Sequence, residues 1–342
     1  MFAMSPIHLD LEVGRELKTS YIDSNSFDPW LNLAVEEYLL SSYAAEGVVL
    51  YLWQNAHTVV IGRNQNAWQE CHVDKLAREG GKLARRLSGG GAVYHDLGNL
   101  NFTFLMPKRR YDLHCQLAVV VDAVKSLGIA AQFSGRNDIL ADGKKFSGNA
   151  FYHGKDTSYH HGTILLDVDM KKLSMYLNVS KSKIESKGIK SVVSRVVNLK
   201  ELRSDLTIET MKKAMYMGFI EEYGQIDTIL DFQEITSREG VKELYGKYSS
   251  GEWLFGNSPE FDFRIDNRFN WGGVEIGLNV KKGIVRDAIV YSDSMDLDFI
   301  HNLQESLKSI EFSQEGLLKT VATLQESVER NDLLEWLRTV EI

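Results

Sequence analysis

The sequence predicts an α+β protein: an antiparallel meander with helices beside it, then a smaller α+β unit. Three observations carry that expectation. The runs NDILAD, KKFSGNAFYH and SYHHGTILLDVD, within residues 137–169, are strand-like and joined only by ADGK and HGKDT. Connectors that short join antiparallel neighbours. Segments of helical period flank this meander instead of alternating regularly with its strands, which argues against a parallel α/β sheet. Finally, SSGEWLFGNSP (249–259) reads as a boundary, and strands then helices follow it. Two domains are therefore expected, 1–248 and 249–342.

Taken in order, residues 1–19 read as a loose leader and Lys18–Ile22 as a short strand. In SFDPWLNLAVEEYLL, Asp28 can cap a helix and Pro29 suits its first position. Leu31, Ala34, Val35, Tyr38 and Leu39 give that helix an apolar face. VVLYLW (48–53) and TVVIG (58–62) are near-continuous apolar runs, hence central strands, joined by the turn-like QNAH. VDKLAREGG is a short helix ended by glycines. KLARRL, GAVYH and LNFTFLM read as strands, and 112–127 as a helix with Leu113, Leu117, Val120, Val121 and Val124 on one side. The Lys- and Ser-rich stretch 178–195 is expected to be a mobile loop. Helices follow near 208–223 and 238–248. Beyond the boundary come strands near 261–269, 273–281 and 284–291, then two or three amphipathic helices over 296–340.

Composition excludes several classes. Over 342 residues, 44% hydrophobic and 25% charged content is ordinary for a globular protein. A net charge of −8 argues against wholesale nucleic-acid binding. Two cysteines, Cys71 and Cys115, are too few for a disulfide framework. No apolar run approaches the roughly 20 residues of a membrane span, so no membrane role is expected. The N-terminal stretch lacks a basic start and apolar core, which makes a cytoplasmic location the expectation.

The most unusual stretch is RRLSGGGAVYHDLGN, residues 85–99. Three successive glycines lose much backbone entropy on folding, so they belong where the main chain must approach something closely. Backbone N–H groups there can face an anion. The stretch is not a phosphate loop, since no Lys-Ser/Thr follows, nor GxGxxG ahead of a helix, since AVYH continues as strand. A structural bulge is the plain alternative. Arg85 and Arg86 favour the anion cradle, but adjacent strand residues point to opposite faces, so only one arginine can enter a site. His95 is at even spacing from Val93 and shares its face; with Asp96 it is a packed pair or a site pair. In the second stretch, residues 135–162, Lys144 and Lys145 follow a tight turn. They are a solvated pair or phosphate ligands, and the small residues of Phe146-Ser147-Gly148-Asn149-Ala150 suit a ligand close to the backbone. Asn137 and Asp138 could hold a divalent cation beside phosphates. His72, His153, His160 and His161 show no metal-ligand spacing. Cys71, beside His72, could be a nucleophile, but a free cysteine is more often a small buried hydrophobe.

Together these residues resemble a family. RRLSGGGAVYHDLGNLNFTF, GRNDI, KKFSGNAF, HHGTILLDVD and KGIKSVVSRVVNL, in that order, are similar to the lipoate–protein ligases. SFDPWLNLAVEEYL and LWQNAHTVVIGRNQN fit the same pattern, and WGGVE falls in a small C-terminal domain. The resemblance spans the chain from about Tyr21. It implies the biotin/lipoate ligase-like fold: a mixed, mostly antiparallel sheet core flanked by helices, plus a small α+β C-terminal domain. It also implies an ATP- and Mg2+-dependent enzyme that converts lipoate to lipoyl-AMP. The lipoyl group would then pass to a lysine of lipoyl-carrier domains, in 2-oxoacid dehydrogenase subunits and the glycine cleavage H protein. By resemblance, Lys145 is the catalytic lysine, contacting lipoate and nucleotide. Arg86, Gly91, Ala92, Val93, Tyr94, Asn137 and Asp138 bind ATP or the adenylate, with Asp138 at the metal. Val35, Trp53, Val60, Ser88, Gly90, His95 and His161 line the lipoate site. A monomer is expected.

Three rivals differ by testable features. An acyl transferase of the same fold, working through a cysteine thioester, needs a cysteine beside the lysine, and neither Cys71 nor Cys115 lies in the motifs. A non-catalytic lipoate- or carrier-binding protein would not need Lys145, Arg86 and the glycines together. A biotin ligase would carry a GRGR-type loop where this chain has GRNQN.

Overall fold

The computed structural model describes residues 18–134, 138–178, 196–256 and 261–340. The expected residues Asn137 and most of the 178–195 loop lie outside that range. An eight-stranded sheet is built from β1 (Lys18–Asp23), β2 (Gly47–Trp53), β6 (Asn99–Pro107), β7 (Ala131–Ser134), β8 (Asp138–Ala141), β9 (Lys144–His153), β10 (Thr157–Leu165) and β11 (Thr228–Ile229), in the order β11-β1-β2-β6-β10-β9-β8-β7. β1 runs parallel to β2 and β11. The remaining pairs are antiparallel, so the sheet is mixed and mostly antiparallel, and β8, β9 and β10 form the expected meander.

The continuous apolar run of β2 has a simple cause. Val48, Leu50 and Leu52 face one core and Val49, Tyr51 and Trp53 the other, as a strand covered on both faces requires. Helices α4 (Leu113–Ser126) and α7 (Ile208–Tyr223) pack on the first face. On the second lie α1 (Pro29–Ser42) and α9 (Glu239–Ser249). Asp28 caps α1, accepting from the Trp30 amide, with Pro29 at the first turn.

One pairing differs from the sequence expectation. β3 (Thr58–Ile61) does not continue the large sheet from β2. It is the centre of a second sheet, β4-β3-β5, with β4 (Lys82–Arg85) parallel and β5 (Val93–His95) antiparallel to it. Both edges of β2 are already taken by β1 and β6. His57 at φ 40° turns the connector away. After α10 (Gly251–Phe255), strands β12 (Phe263–Phe269), β13 (Gly272–Lys281) and β14 (Ile284–Ser292) form an antiparallel sheet. Helices α11 (Leu297–Ser306), α12 (Gln314–Ala322) and α13 (Val328–Leu337) share with it a core of its own, including Ile276, Leu278, Leu303 and Leu333.

Candidate active site

The two sheets of the larger part face each other across a cavity of about 180 Å³. The large sheet contributes Trp53 from β2, Asn101 from β6, Lys145 and Gly148–Ala150 from β9, and His161–Thr163 from β10. The small sheet contributes Val60, Val93 and His95, with Arg86, Gly91 and Ala92 from the connecting loop. Leu33 from α1 and Met295, which follows β14, complete the wall. The glycine stretch and Lys145 thus meet at one cavity.

The two arginines part as strand alternation requires. Arg85 turns away from the cavity and donates to five carbonyls: Gly62, Arg63, Gln65, Trp253 and Leu254. It ties β4 to α10, and Trp253 Nε1 returns a bond to the Arg85 carbonyl. Arg86 enters the cavity wall. It donates to Ser88 Oγ and to the carbonyls of Val60, Gly89 and Gly91, so it splints the loop from inside. Burial draws both guanidinium pKa values down to about 10.

The three glycines serve different ends. A Cβ on Gly89 would stand 2.3 Å from the Ser294 carbonyl oxygen, so this position admits the C-terminal unit. Gly90 has φ 88°, and its amide donates to that same carbonyl at 3.3 Å. Among the described residues nothing lies within 4 Å of a Cβ on Gly91, at the cavity wall. Of the three glycines, Gly91 is the one those residues leave open to an incoming group.

Behind the wall runs a buried polar chain. Trp53 Nε1 donates to Thr103 Oγ1 at 3.0 Å, and Thr103 donates to Glu36 Oε1 at 2.7 Å. His161 Nδ1 lies 2.9 Å from the same oxygen, and its Nε2 lies 2.8 Å from Ser88 Oγ. Glu36, 1% exposed, holds His161 in place. It was missed in the sequence because it sits among apolar helix residues; its polarity within LAVEEY is the signal that could have found it. Burial, reinforced by Arg86 and His161, pushes His95 down to about 3, so it is a neutral ring in the wall.

Lys145 Nζ pairs with Asp138 Oδ1 at 2.6 Å. It also lies 3.0 Å from where a Cβ on Gly148 would stand, so a side chain at 148 would crowd the ammonium. The remaining expected residues are placed as follows. Trp53, Val60, Arg86, Gly91, Ala92, Val93, His95, Lys145 and His161 meet at the cavity. Ser88 and Gly90 stand behind them, bonded to His161 and Ser294. Tyr94 faces away and stacks on Tyr176 at 5.6 Å. Val35 is fully buried in the core beside α1, and Leu33, two residues earlier, reaches the wall instead. Asn101, Asn149, Thr163 and Met295 are lining residues that sequence reasoning passed over. No cluster of three His, Cys, Asp or Glu side chains suited to a metal occurs among the described residues.

Fold and site together define a class. The model of the lipoyl protein ligase A/B catalytic domain matches residues 28–220, and that of the bacterial lipoate protein ligase C-terminus matches 258–337. Lipoate-protein ligase A of Psychrobacter cryohalolentis is 39% identical over 333 residues, covering 94% of this chain and 98% of the relative. That of Blochmanniella floridana is 39% identical over 299 residues, covering 85% and 88%. The chain belongs to the lipoate–protein ligases. Among solved structures, P. falciparum LipL1 in complex with lipoate superposes with a TM-score of 0.83 at 29% identity, over 93% of this chain and 98% of that one. A lipoate-protein ligase A bound with ATP gives 0.59 at 29%, over 71% and 99%.

Proposed function

We propose that this chain activates lipoate with ATP and transfers the lipoyl group to a lysine of a carrier domain. One observation carries the reading: the Lys145 ammonium and the open Gly91 share a cavity whose remaining wall is mostly apolar or neutral. A carboxylate and a triphosphate repel each other, so positive charge must be concentrated where they meet. An uncharged acyl tail needs a slot that is apolar with few polar groups.

The lipoate carboxylate attacks the α-phosphorus, the bond to the β-phosphate oxygen breaks, and pyrophosphate leaves. Lys145 neutralises charge on the carboxylate and the α-phosphate as they approach. In the second step the carrier lysine amine attacks the acyl carbon, AMP departs, and Lys145 stabilises the oxyanion. Mg2+ would supply charge neutralisation on the phosphates. Asp138 offers it the hard oxygen such an ion takes, and Asn137 precedes it in sequence. Carrier domains of the 2-oxoacid dehydrogenases and the glycine cleavage H protein are the proposed acceptors, with a monomeric cytoplasmic enzyme. The archaeal bi-partite lipoate protein ligase of Thermoplasma acidophilum, solved with its E2 lipoyl domain, is 29% identical over 73% of this chain, which supports a lipoyl-domain acceptor. Burial raises both cysteine thiols to about 12, which disfavours a thioester route.

The test is lipoate-dependent ATP–pyrophosphate exchange. Wild type exchanges, and Lys145→Ala loses about 10²-fold or more. Exchange retained in the variant refutes the lysine's role. ATP-independent transfer from a thioester, abolished by Cys71→Ser, refutes the ligase reading.

A further inference from the structure

The register of β9 changes where the strand passes the cavity. Leu140 is paired with Lys145 but Ile139 with Ser147, so β9 carries one extra residue, Phe146, opposite β8. A bulge of this kind breaks the alternation of faces. Phe146 points into the core beneath α4 and α7, while Lys145 and Gly148, three positions apart, both reach the cavity. In an unbroken strand, residues three apart lie on opposite faces.

The pairing of β9 with β10 stops at the same place. Its last register pair is Asn149 with Gly162, whereas β10 runs on against β6 as far as Leu165. One position further along, the Gly148 amide donates instead to a side chain, Thr163 Oγ1, at 3.2 Å. A threonine hydroxyl has one proton to give and two lone pairs. The bond from Gly148 occupies a lone pair and leaves the proton, on a side chain that lines the cavity.

Three atoms stand nearest the place that a Cβ on Gly148 would take: Lys145 Nζ at 3.0 Å, Lys145 Cε at 3.1 Å and Thr163 Oγ1 at 3.9 Å. Glycine leaves room over its own Cα where any other residue would fill it. An oxygen seated over Gly148 has an ammonium on one side and a hydroxyl on the other. Two donors converging on one oxygen are the arrangement that stabilises an oxyanion.

We propose that Thr163 is a second oxyanion donor for the transfer step, sharing with Lys145 the acyl oxygen over Gly148. This rests on the ligase reading. The carrier amine attacks the acyl carbon, a carbon–nitrogen bond forms, and the carbonyl electron pair moves onto the oxygen between Lys145 and Thr163. As the pair returns, the carbon–oxygen bond to AMP breaks and AMP leaves with its electrons. The proton of the new ammonium passes to water. Negative charge grows on the acyl oxygen in this step. During activation the same oxygen belongs to a carboxylate that is losing charge, so a donor there holds lipoate without speeding its attack.

Two assays separate the steps: lipoate-dependent pyrophosphate exchange, and single-turnover transfer from isolated lipoyl-AMP to a lipoyl domain. Wild type performs both. In Thr163→Val the transfer rate falls by about 10²-fold, while the kcat of exchange changes by less than about threefold and the KM for lipoate rises. Thr163→Ser keeps the hydroxyl and transfers within about threefold of wild type. Thr163→Ala gives the same split as valine, should the valine variant fail to fold. Gly148→Ala, at a φ outside the left-handed region, keeps its melting temperature and loses transfer, because the methyl group fills the oxygen's place. Wild-type transfer in a folded Thr163→Val, Thr163→Ala or Gly148→Ala protein overturns the shared oxygen. Equal losses of transfer and exchange overturn it too, since a threonine that only props Gly148 slows both. No exchange in wild type overturns the ligase reading itself.

Discussion

Alanine at each of the three glycines in turn separates their roles. At Gly91 the added Cβ meets none of the described residues within 4 Å, and its φ is not in the left-handed region. The fold should lose no more than about 0.5 kcal/mol and can gain from a less flexible unfolded chain. The methyl group nevertheless enters the space through which the phosphates would approach the backbone. Gly91→Ala should therefore raise the KM for ATP several-fold while the melting temperature holds. At Gly90, φ 88° makes alanine strained by about 1–2 kcal/mol, with Met295 Cε only 2.8 Å from the new Cβ. At Gly89 the Cβ strikes the Ser294 backbone at 2.3 Å, which no rotamer relieves. Forced overpacking there costs about 1–3 kcal/mol, or the C-terminal unit shifts off the loop. Denaturant melts and ATP titration of exchange decide it. A Gly91→Ala protein as destabilised as Gly90→Ala, or one with wild-type KM for ATP, refutes the assignment of Gly91 as the open position.

Arg85→Met should destabilise by about 3 kcal/mol, because carbonyls on β4's neighbours and on α10 lose a charged donor; limited proteolysis should then cut near 253, with KM values little changed. Loss of substrate affinity with unchanged stability would contradict its placement away from the cavity. For pH, the fold holds His95 near 3 against about 6.5 in the unfolded chain. The unfolded state thus binds more protons between these values, and the stability His95 contributes is present above pH 6.5 and lost as pH falls towards 3. From pH 6.5 to 5.5 the loss is about 1 kcal/mol, in addition to a change of the same sign from buried His160; urea melts of His95→Phe should show a shallower slope, and an identical slope would contradict a neutral buried ring. Native protein at pH 8 should react slowly with Ellman's reagent at Cys71 and Cys115, whose thiols burial raises, and fast once unfolded.

Much of this arrangement was legible because it depends on local periodicity. Alternation along a strand predicted that one arginine of the pair would enter the cavity and that Val93 and His95 would share a face. The same alternation sends Tyr94 away, although it belongs to the motif carried over by resemblance. A motif records contiguity, whereas a cavity selects every second strand residue. On α1, Val35 and Leu33 are both apolar and both buried, and only the position of the opposing sheet decides which reaches the cavity. Asn101 was hidden inside LNFTFLM, an apolar run where one polar residue looks incidental. Met295 lies about 200 residues beyond the glycines it touches, and no pattern in either segment announces the contact.

The electrostatics of the loop follow from what Arg86 already does. Its donors go to Ser88 and to carbonyls of Val60, Gly89 and Gly91. Carbonyls held inward by a guanidinium fix the course of this loop, so the arginine acts on the site by holding the loop's backbone in place. Its own charge is screened little at 6% exposure and still reaches the cavity as a field. Lys145, on β9 of the large sheet and paired among the described residues with the partly exposed Asp138 carboxylate, is the cation better placed to change partners. On the proposed reaction the division is physically sensible: a rigid buried charge would set the potential, and a movable one would follow the negative charge from carboxylate to phosphate to oxyanion.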